Sequence, residues 1–480
     1  MFAADFAYKL GAGPTILIRG EGRLARQSRG FHAGRQQRPE AAEPPPPGLA
    51  ARIAAARAIA ETLTLSRSLD ERFAADLSLR AGGLDARDSA LARSIATVAL
   101  RRLGTIRKAL ARRLEKGMPK RGGMLEWTLI VAAAQILFLN APDHAAVDLA
   151  VKATRADPAS APFAALANAV LRTIARERDA ILASSDPLDD DTPAWLAARW
   201  RAAYGETTAR AIAAAHRSEP TLDLSVKGDP AGLAERLGGI VLPTGSVRLD
   251  THKPVVELEG YSKGEWWVQD AAAALPARLL RARPGMRVAD LCAAPGGKAA
   301  ELAAAGANVT TVDRSAERLK MLAANFERLR LHSEIVVADA LSFEAPPFDA
   351  VLLDAPCTAT GTIRRHPDVA WIKRPGDLTP LVKLQAQLLE KAIALTRPGG
   401  LLVYCACSLE PEEGEAQIAP ILRRNPDVRR LPVEPQEIGG LAECLTPSGD
   451  VRTLPCHLWG DNPRRSGMDG FFAARLIKAG

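Results

Sequence analysis

A chain of 480 residues with 47% apolar side chains is long enough for several cores, roughly two to four domains by size. No apolar run approaches the about 20 residues of a membrane-crossing helix, so no membrane partner is expected. The formal charge of +8 fits a polyanion such as nucleic acid, and it excludes nothing on its own.

Six cysteines stand at 292, 357, 405, 407, 444 and 456. They are too sparse for a disulfide framework, so a reducing, cytoplasmic setting with free thiols is expected. Residues 1–48 are Arg-rich and Gly-rich and end in PEAAEPPPPG. They have no signal-peptide core and read as a disordered tail.

From 49 to 184 the pattern is helical throughout. Leu49–Leu65 is Ala-rich. Ala86–Lys116 reads as one long helix carrying Arg93, Arg101, Arg102, Arg107, Lys108, Arg112 and Arg113, which suit either an RNA backbone or a solvated face. Met124–Leu139 is nearly all apolar and reads as a buried central helix. Ala145–Thr154 and Pro162–Arg178 follow. The segment SSDPLDDDTP, Ser184 to Pro193, reads as a linker. Residues 193–258 mix a helix with the short strand patterns LDLSVKG, GGIVLPTG and SVRLDT, a small α+β module.

From 259 to 480 the pattern changes again. GEWWVQDAAAALPARLL reads as opening a helix. Strands RVADL (Arg287–Leu291), NVTTVD (Asn308–Asp313), EIVVAD (Glu334–Asp339), FDAVLLD (Phe348–Asp354) and GLLVYC (Gly400–Cys405) then alternate with helices, including Ala316–Leu329 and Leu378–Leu395. That rhythm predicts a doubly wound α/β sheet of Rossmann-like type, whose ligands sit beyond the carboxyl ends of the strands.

The strand ends carry the chemistry. The first ends DLCAAPGGK (Asp290–Lys298), where Pro295, Gly296 and Gly297 let backbone amides approach a ligand at a helix N-terminus. This is neither a dinucleotide fingerprint nor a Walker loop. The next ends are Asp313, placed for ribose hydroxyls, Asp339, placed for an adenine edge, then DAPC (Asp354–Cys357) and YCACS (Tyr404–Ser408). A zinc set from Cys405, Cys407, Cys444, Cys456 and His457 lacks the usual paired spacing, so no metal is expected.

DLCAAPGGK, DAPCTATGTIRRHPD and YCACSLEPEEGE resemble the signature motifs of the RNA cytosine-C5 methyltransferases, which use S-adenosylmethionine. The helical region resembles the NusB RNA-binding domain, with FAALANAVLR (Phe163–Arg172) as its closing phrase. A NusB-like domain joined to this catalytic domain resembles the bacterial 16S rRNA cytosine-C5 methyltransferases, over about Leu49 to Ala479.

The resemblance implies that Cys292, Ala293, Ala294, Pro295, Gly296, Gly297, Lys298, Asp313, Asp339 and Asp354 contact the cofactor. It implies Cys407 as nucleophile and Cys357 as the second cysteine that completes turnover. Ala299, Thr358 and Ala406 replace the Thr, Ser and Thr frequent in the family. Arg364 and Arg365 are expected to grip RNA phosphates, and Trp266 and Trp267 to stack on bases or seal a junction. A tRNA or 23S rRNA substrate and a non-catalytic RNA-binding or assembly role are the alternatives.

Overall fold

The computed structural model describes residues 46–78 and 84–480. The tail expected over 1–48 lies almost wholly outside the described residues.

Eight helices come first: α1 (Leu49–Leu65), α2 (Leu69–Ser78), α3 (Ala86–Arg101), α4 (Leu103–Ala111), α5 (Leu125–Phe138), α6 (Asp143–Ala156), α7 (Ala164–Arg176) and α8 (Arg178–Ala183). Helix α5 is apolar on every side and buries Leu125, Leu129, Ile130 and Ile136 at the centre of one core.

The long basic helix expected over Ala86–Lys116 is two helices that break at Arg102. The acidic segment after α8 explains the break. Asp191 Oδ1 accepts from the Thr105 amide at 2.7 Å, and the Asp190 carbonyl packs where a Cβ on Gly104 would stand. Lys108 pairs with Asp190 at 2.7 Å, Arg102 with Asp191 at 3.4 Å, and Arg113 with Glu177. Much of the expected basic face is spent inside the protein. Ser184–Pro193 is thus a pinned strap, whose acids also hold Arg201, Arg210 and Arg217.

Helix α9 (Ala194–His216) bends at Gly205 (φ 77°). The small module follows: β1 (Leu222–Val226), α10 (Pro230–Leu237), β2 (Ile240–Val241), β3 (Val247–Leu249) and β4 (Trp266–Val268), in the order β2-β3-β1-β4. Strand β4 lies past the expected boundary at 258, because it pairs antiparallel with β1. GEWWV therefore does not open a helix. Both tryptophans are buried, their indole N–H groups donating to the Glu259 carbonyl (Trp266, 2.9 Å) and to Gln269 Oε1 (Trp267, 2.6 Å). They seal the junction. Helix α11 (Ala271–Leu279) starts only after Asp270, whose side chain caps the Ala272 amide.

The last unit runs β5 (Arg287–Leu291), α12 (Gly297–Ala304), β6 (Asn308–Asp313), α13 (Ala316–Leu329), β7 (Glu334–Val337), β8 (Phe348–Asp354), α14 (Val369–Ile372), α15 (Leu378–Leu395), β9 (Thr396–Ala406), α16 (Glu415–Arg424), β10 (Val428–Arg430), β11 (Val451–Thr453) and β12 (Phe471–Lys478). The sheet order is β10-β12-β9-β8-β5-β6-β7, with β11 on β12. Strands β9, β8, β5, β6 and β7 are parallel, whereas β12 is antiparallel to β9. The sheet is mixed, with apolar cores on both faces, and the strand order reverses between β5 and β8. No described helix is long and apolar enough to cross a membrane.

Candidate active site

The carboxyl ends of β5, β6, β8 and β9 meet at that reversal, where α/β sheets bind ligands. The turn after β5 is tight: Cys292 has φ 62°, the Ala294–Pro295 peptide is cis, and Gly296 has φ 101°. A Cβ on Gly296 would sit 2.6 Å from Leu322 Cγ, so only glycine lets the turn close on α13.

Asp313 Oδ2 accepts from the Ala294 amide at 3.1 Å and Oδ1 from the Ser315 amide at 2.9 Å, tying β6 to this turn. Asp354 Oδ2 receives Lys298 Nζ at 2.8 Å across the reversal, and Lys298 lies over the Phe471 ring, 4.7 Å from its centroid. Burial opposes the Lys298 charge, but the Asp354 carboxylate beside it holds the ammonium above its usual range. Asp339 does not end a strand. It is exposed, two residues past β7, and accepts from the Leu341 amide at 2.9 Å.

Cys357 and Cys407 meet. Their sulfurs lie 3.3 Å apart, one beyond β8 and the other beyond β9. The contact to Cys407 pushes the Cys357 thiol well up, and burial and the nearby Glu413 carboxylate add to this. Cys405 is fully buried in β9, 3.5 Å from Asp354 Oδ1. Burial raises its thiol, as it raises that of Cys292 to about 12, with Asp354 and Asp313 adding repulsion. Neither is prepared to ionise. Cys444 lies elsewhere, 3.2 Å from His457 Nδ1.

Two residues escaped the sequence reading. Asp290, in β5, is fully buried, and neither of its oxygens has a hydrogen-bond partner. Burial, with Asp354 and Asp313 nearby, pushes its carboxyl well up. The available signal was an acid inside a strand covered on both faces. Glu413 is the second: it lies behind the cysteines, within the quoted phrase YCACSLEPEEGE.

The chain is matched over residues 277–477 by the family model described as 16S rRNA methyltransferase RsmB/F, and over 49–176 by the NusB family model. It is 37% identical over 449 residues to the ribosomal RNA small subunit methyltransferase B of Xylella fastidiosa, spanning 90% of this chain and 98% of that protein. The Pseudomonas putida protein of the same name is 34% identical, spanning 89% and 98%. The chain belongs to the RsmB/F family of rRNA methyltransferases. It is thus an S-adenosylmethionine-dependent RNA methyltransferase behind a NusB domain. Among solved structures, PH0851 superposes with TM-score 0.65 at 23% identity over 90% of this chain and 99% of that one. NSun6 from Pyrococcus horikoshii, solved with SFG, gives 0.50 at 20% identity over 60% and 98%. Both likenesses speak to the fold.

The residues of this RsmB/F site fit the cofactor the family uses. The N-terminus of α12 suits a carboxylate, Asp313 and Asp354 suit sulfonium, ammonium and hydroxyl groups, and the glycine-lined turn and the unpartnered Asp290 carboxyl group leave room and a hydrogen-bonding partner for such a ligand. Arg364 does not fit a phosphate grip. Its guanidinium is turned inward, donating to the Ser466 carbonyl at 3.0 Å and to Asp270 at 3.1 Å, because a buried acid needs a counter-charge. Arg365 keeps an exposed edge but pairs with the buried Asp469, Nε to Oδ2 at 2.8 Å.

Proposed function

We propose that this chain methylates C5 of a cytosine in 16S rRNA through a transient bond between Cys407 Sγ and C6 of the base. The approach of the Cys357 and Cys407 sulfurs, at the edge where the cofactor residues converge, supports this reading most directly.

Cytosine C5 is a poor nucleophile. A thiolate that adds to C6 makes C5 enamine-like, so one soft nucleophile is needed. S-adenosylmethionine, when bound, supplies the electrophilic methyl group that C5 takes. Residues Cys292–Lys298, Asp313, Asp339 and Asp354 would hold it, and Asp290 would add a buried carboxyl group at the same edge. Solvent then takes the C5 proton, the C–H electrons restore the C5–C6 double bond, and the C6–S bond breaks to return the Cys407 thiolate. Cys357 stands beside the breaking bond and hydrogen-bonds the departing sulfur. Cytosine must leave its stack to reach this edge, which favours a loop or bulge of the RNA.

Separate 16S, 23S and tRNA transcripts, incubated with labelled cofactor and mapped by bisulfite sequencing, test the assignment. Label confined to one cytosine of 16S rRNA is expected. Label on tRNA or 23S rRNA alone, or undiminished transfer by Cys407→Ser, would overturn it.

A further inference from the structure

Two thiols share one site, and only one can act as the attacking thiolate. Their surroundings are not symmetric. Glu413, fully buried, sits behind the Cys357 loop. The amide of Thr358, the residue after Cys357, donates to both Glu413 oxygens at 2.9 and 3.2 Å, and the Thr358 hydroxyl donates to Oε2. Gln385 Nε2 donates to Oε1 at 2.9 Å and to the Pro356 carbonyl at 2.9 Å. Several donors thus converge on one buried carboxyl group and fix it against the Cys357 loop. The Glu413 carbonyl accepts the Tyr404 hydroxyl at 2.6 Å, so the same residue grips β9 just before Cys407.

The ionisable groups around the sulfurs divide by sign. Glu413 acts on Cys357, which in turn acts on Tyr404. Cys407 lies within electrostatic reach of the Lys298 and Arg365 cations, which pair with Asp354 and Asp469, and Asp354 also faces Cys405. A carboxylate therefore stands near one thiol, and two cations, each paired with an aspartate, stand near the other.

We propose that Glu413 is a positioning residue that decides which thiol ionises: it keeps the proton on Cys357 and leaves Cys407 as the thiolate. The proposal rests on the reading of Cys407 as nucleophile and adds the cause of that choice. A negative charge beside a thiol opposes its ionisation, whereas cations favour it. Glu413 is fully buried behind the Cys357 loop and acts through it.

Alkylation by iodoacetamide, followed for each cysteine by peptide mass spectrometry across pH, reads this order without RNA. In the unmodified chain Cys407 is expected to react at lower pH than Cys357. In Glu413→Gln the preference for Cys407 at neutral pH is expected to fall on the order of tenfold, because one like charge shifts a thiol by about one unit or more. Thr358→Val loosens the same loop but keeps the charge, and should retain the preference. An unchanged preference in Glu413→Gln, or an equal loss in Thr358→Val, would reduce Glu413 to a loop staple and overturn the proposal. If Glu413→Gln does not fold, the midpoint of Cys357 in Cys407→Ser is compared with that of Cys407 in Cys357→Ser. Equal or reversed midpoints overturn the proposal, and a higher midpoint for Cys357 upholds it. Mapping the covalent RNA adduct tests the nucleophile separately: an adduct on Cys357 refutes the functional reading, while an adduct on Cys407 with no effect of Glu413 refutes only this inference.

Discussion

The sulfurs of Cys357 and Cys407 lie 3.3 Å apart although 50 positions separate them in the chain. Parallel pairing of β8 with β9 brings them together, because Asp354 and Cys405 are registered partners and each thiol follows within three residues. If Cys357 assists departure of the Cys407 sulfur, removing it should block release after attack. Cys357→Ser is expected to accumulate a covalent protein–RNA complex, visible as a retarded band on a denaturing gel and absent in the Cys357→Ser/Cys407→Ser double variant. A free RNA band alone from the single variant would contradict the role in release.

Lys298 and Asp354 close the cofactor edge through a 2.8 Å ion pair, and Lys298 is almost wholly buried. Removing one member leaves a buried charge unbalanced, at a cost of about 3 kcal/mol. Removing both leaves none. Lys298→Met and Asp354→Asn are each expected to lower unfolding stability, while the double variant should lose less than the sum, with a coupling on the order of 1–3 kcal/mol. Denaturant titration of the four proteins measures it, and strict additivity would show that the pair is not an energetic unit.

Gly361 follows the Cys357 loop and holds the backbone of Cys407, the proposed nucleophile. Its amide donates to the Cys407 carbonyl at 3.0 Å, and its carbonyl accepts from the Gly470 amide at 2.8 Å. A Cβ there would stand 1.8 Å from the Gly470 oxygen and 3.0 Å from the Cys407 oxygen. Backbone must move, and the Cys407 turn moves with it. Gly361→Ala is expected to lower kcat roughly a hundredfold, as displacements of about 1 Å do. Calorimetry with S-adenosylhomocysteine should show near-normal affinity, since residues 292–298 are untouched. A parallel loss of cofactor binding would mean that the whole sheet edge had shifted.

How much of this was legible beforehand depended on whether the cause was local. Helices α13 and α15 and strand β5 have the very bounds that periodicity predicted, and the phrases ending β5, β6, β8 and β9 meet at one edge of the sheet. The break at Arg102 was hidden because its cause, the Asp190–Asp191 strap, lies some ninety residues on. Strand β12 was missed because Arg475 interrupts its apolar run; that arginine is buried against Glu437 at 2.6 Å, a partner no local window contains. Arg364 was misread for the same reason, since Asp270 sits 94 positions away. Glu413 carried no signal within YCACSLEPEEGE because its partner, the Thr358 amide, lies 55 positions away.

The same distant wiring gives the last prediction. The strap after Cys357 docks on the helical domain: Asp368 Oδ2 accepts the Leu69 amide at 3.1 Å, the Trp371 indole donates to the Leu100 carbonyl at 2.8 Å, and Arg101 donates to the Arg364 carbonyl at 3.1 Å. His216, at the end of α9, is buried here against Trp200, their rings 5.3 Å apart. Burial, with Arg364 and Arg101 close by, pushes its imidazole down to about 3. The folded value lies below the unfolded one, near 6.5. Below that value protons bind the unfolded chain in preference, so stability present at pH 7 is lost as the pH falls towards 3. Between pH 7 and pH 5 the loss from this one residue is about 2 kcal/mol. His216→Leu is expected to flatten the pH dependence of unfolding over that window. An equally steep fall in the variant would move the acid sensitivity to another group and leave His216 a passive member of the interdomain core.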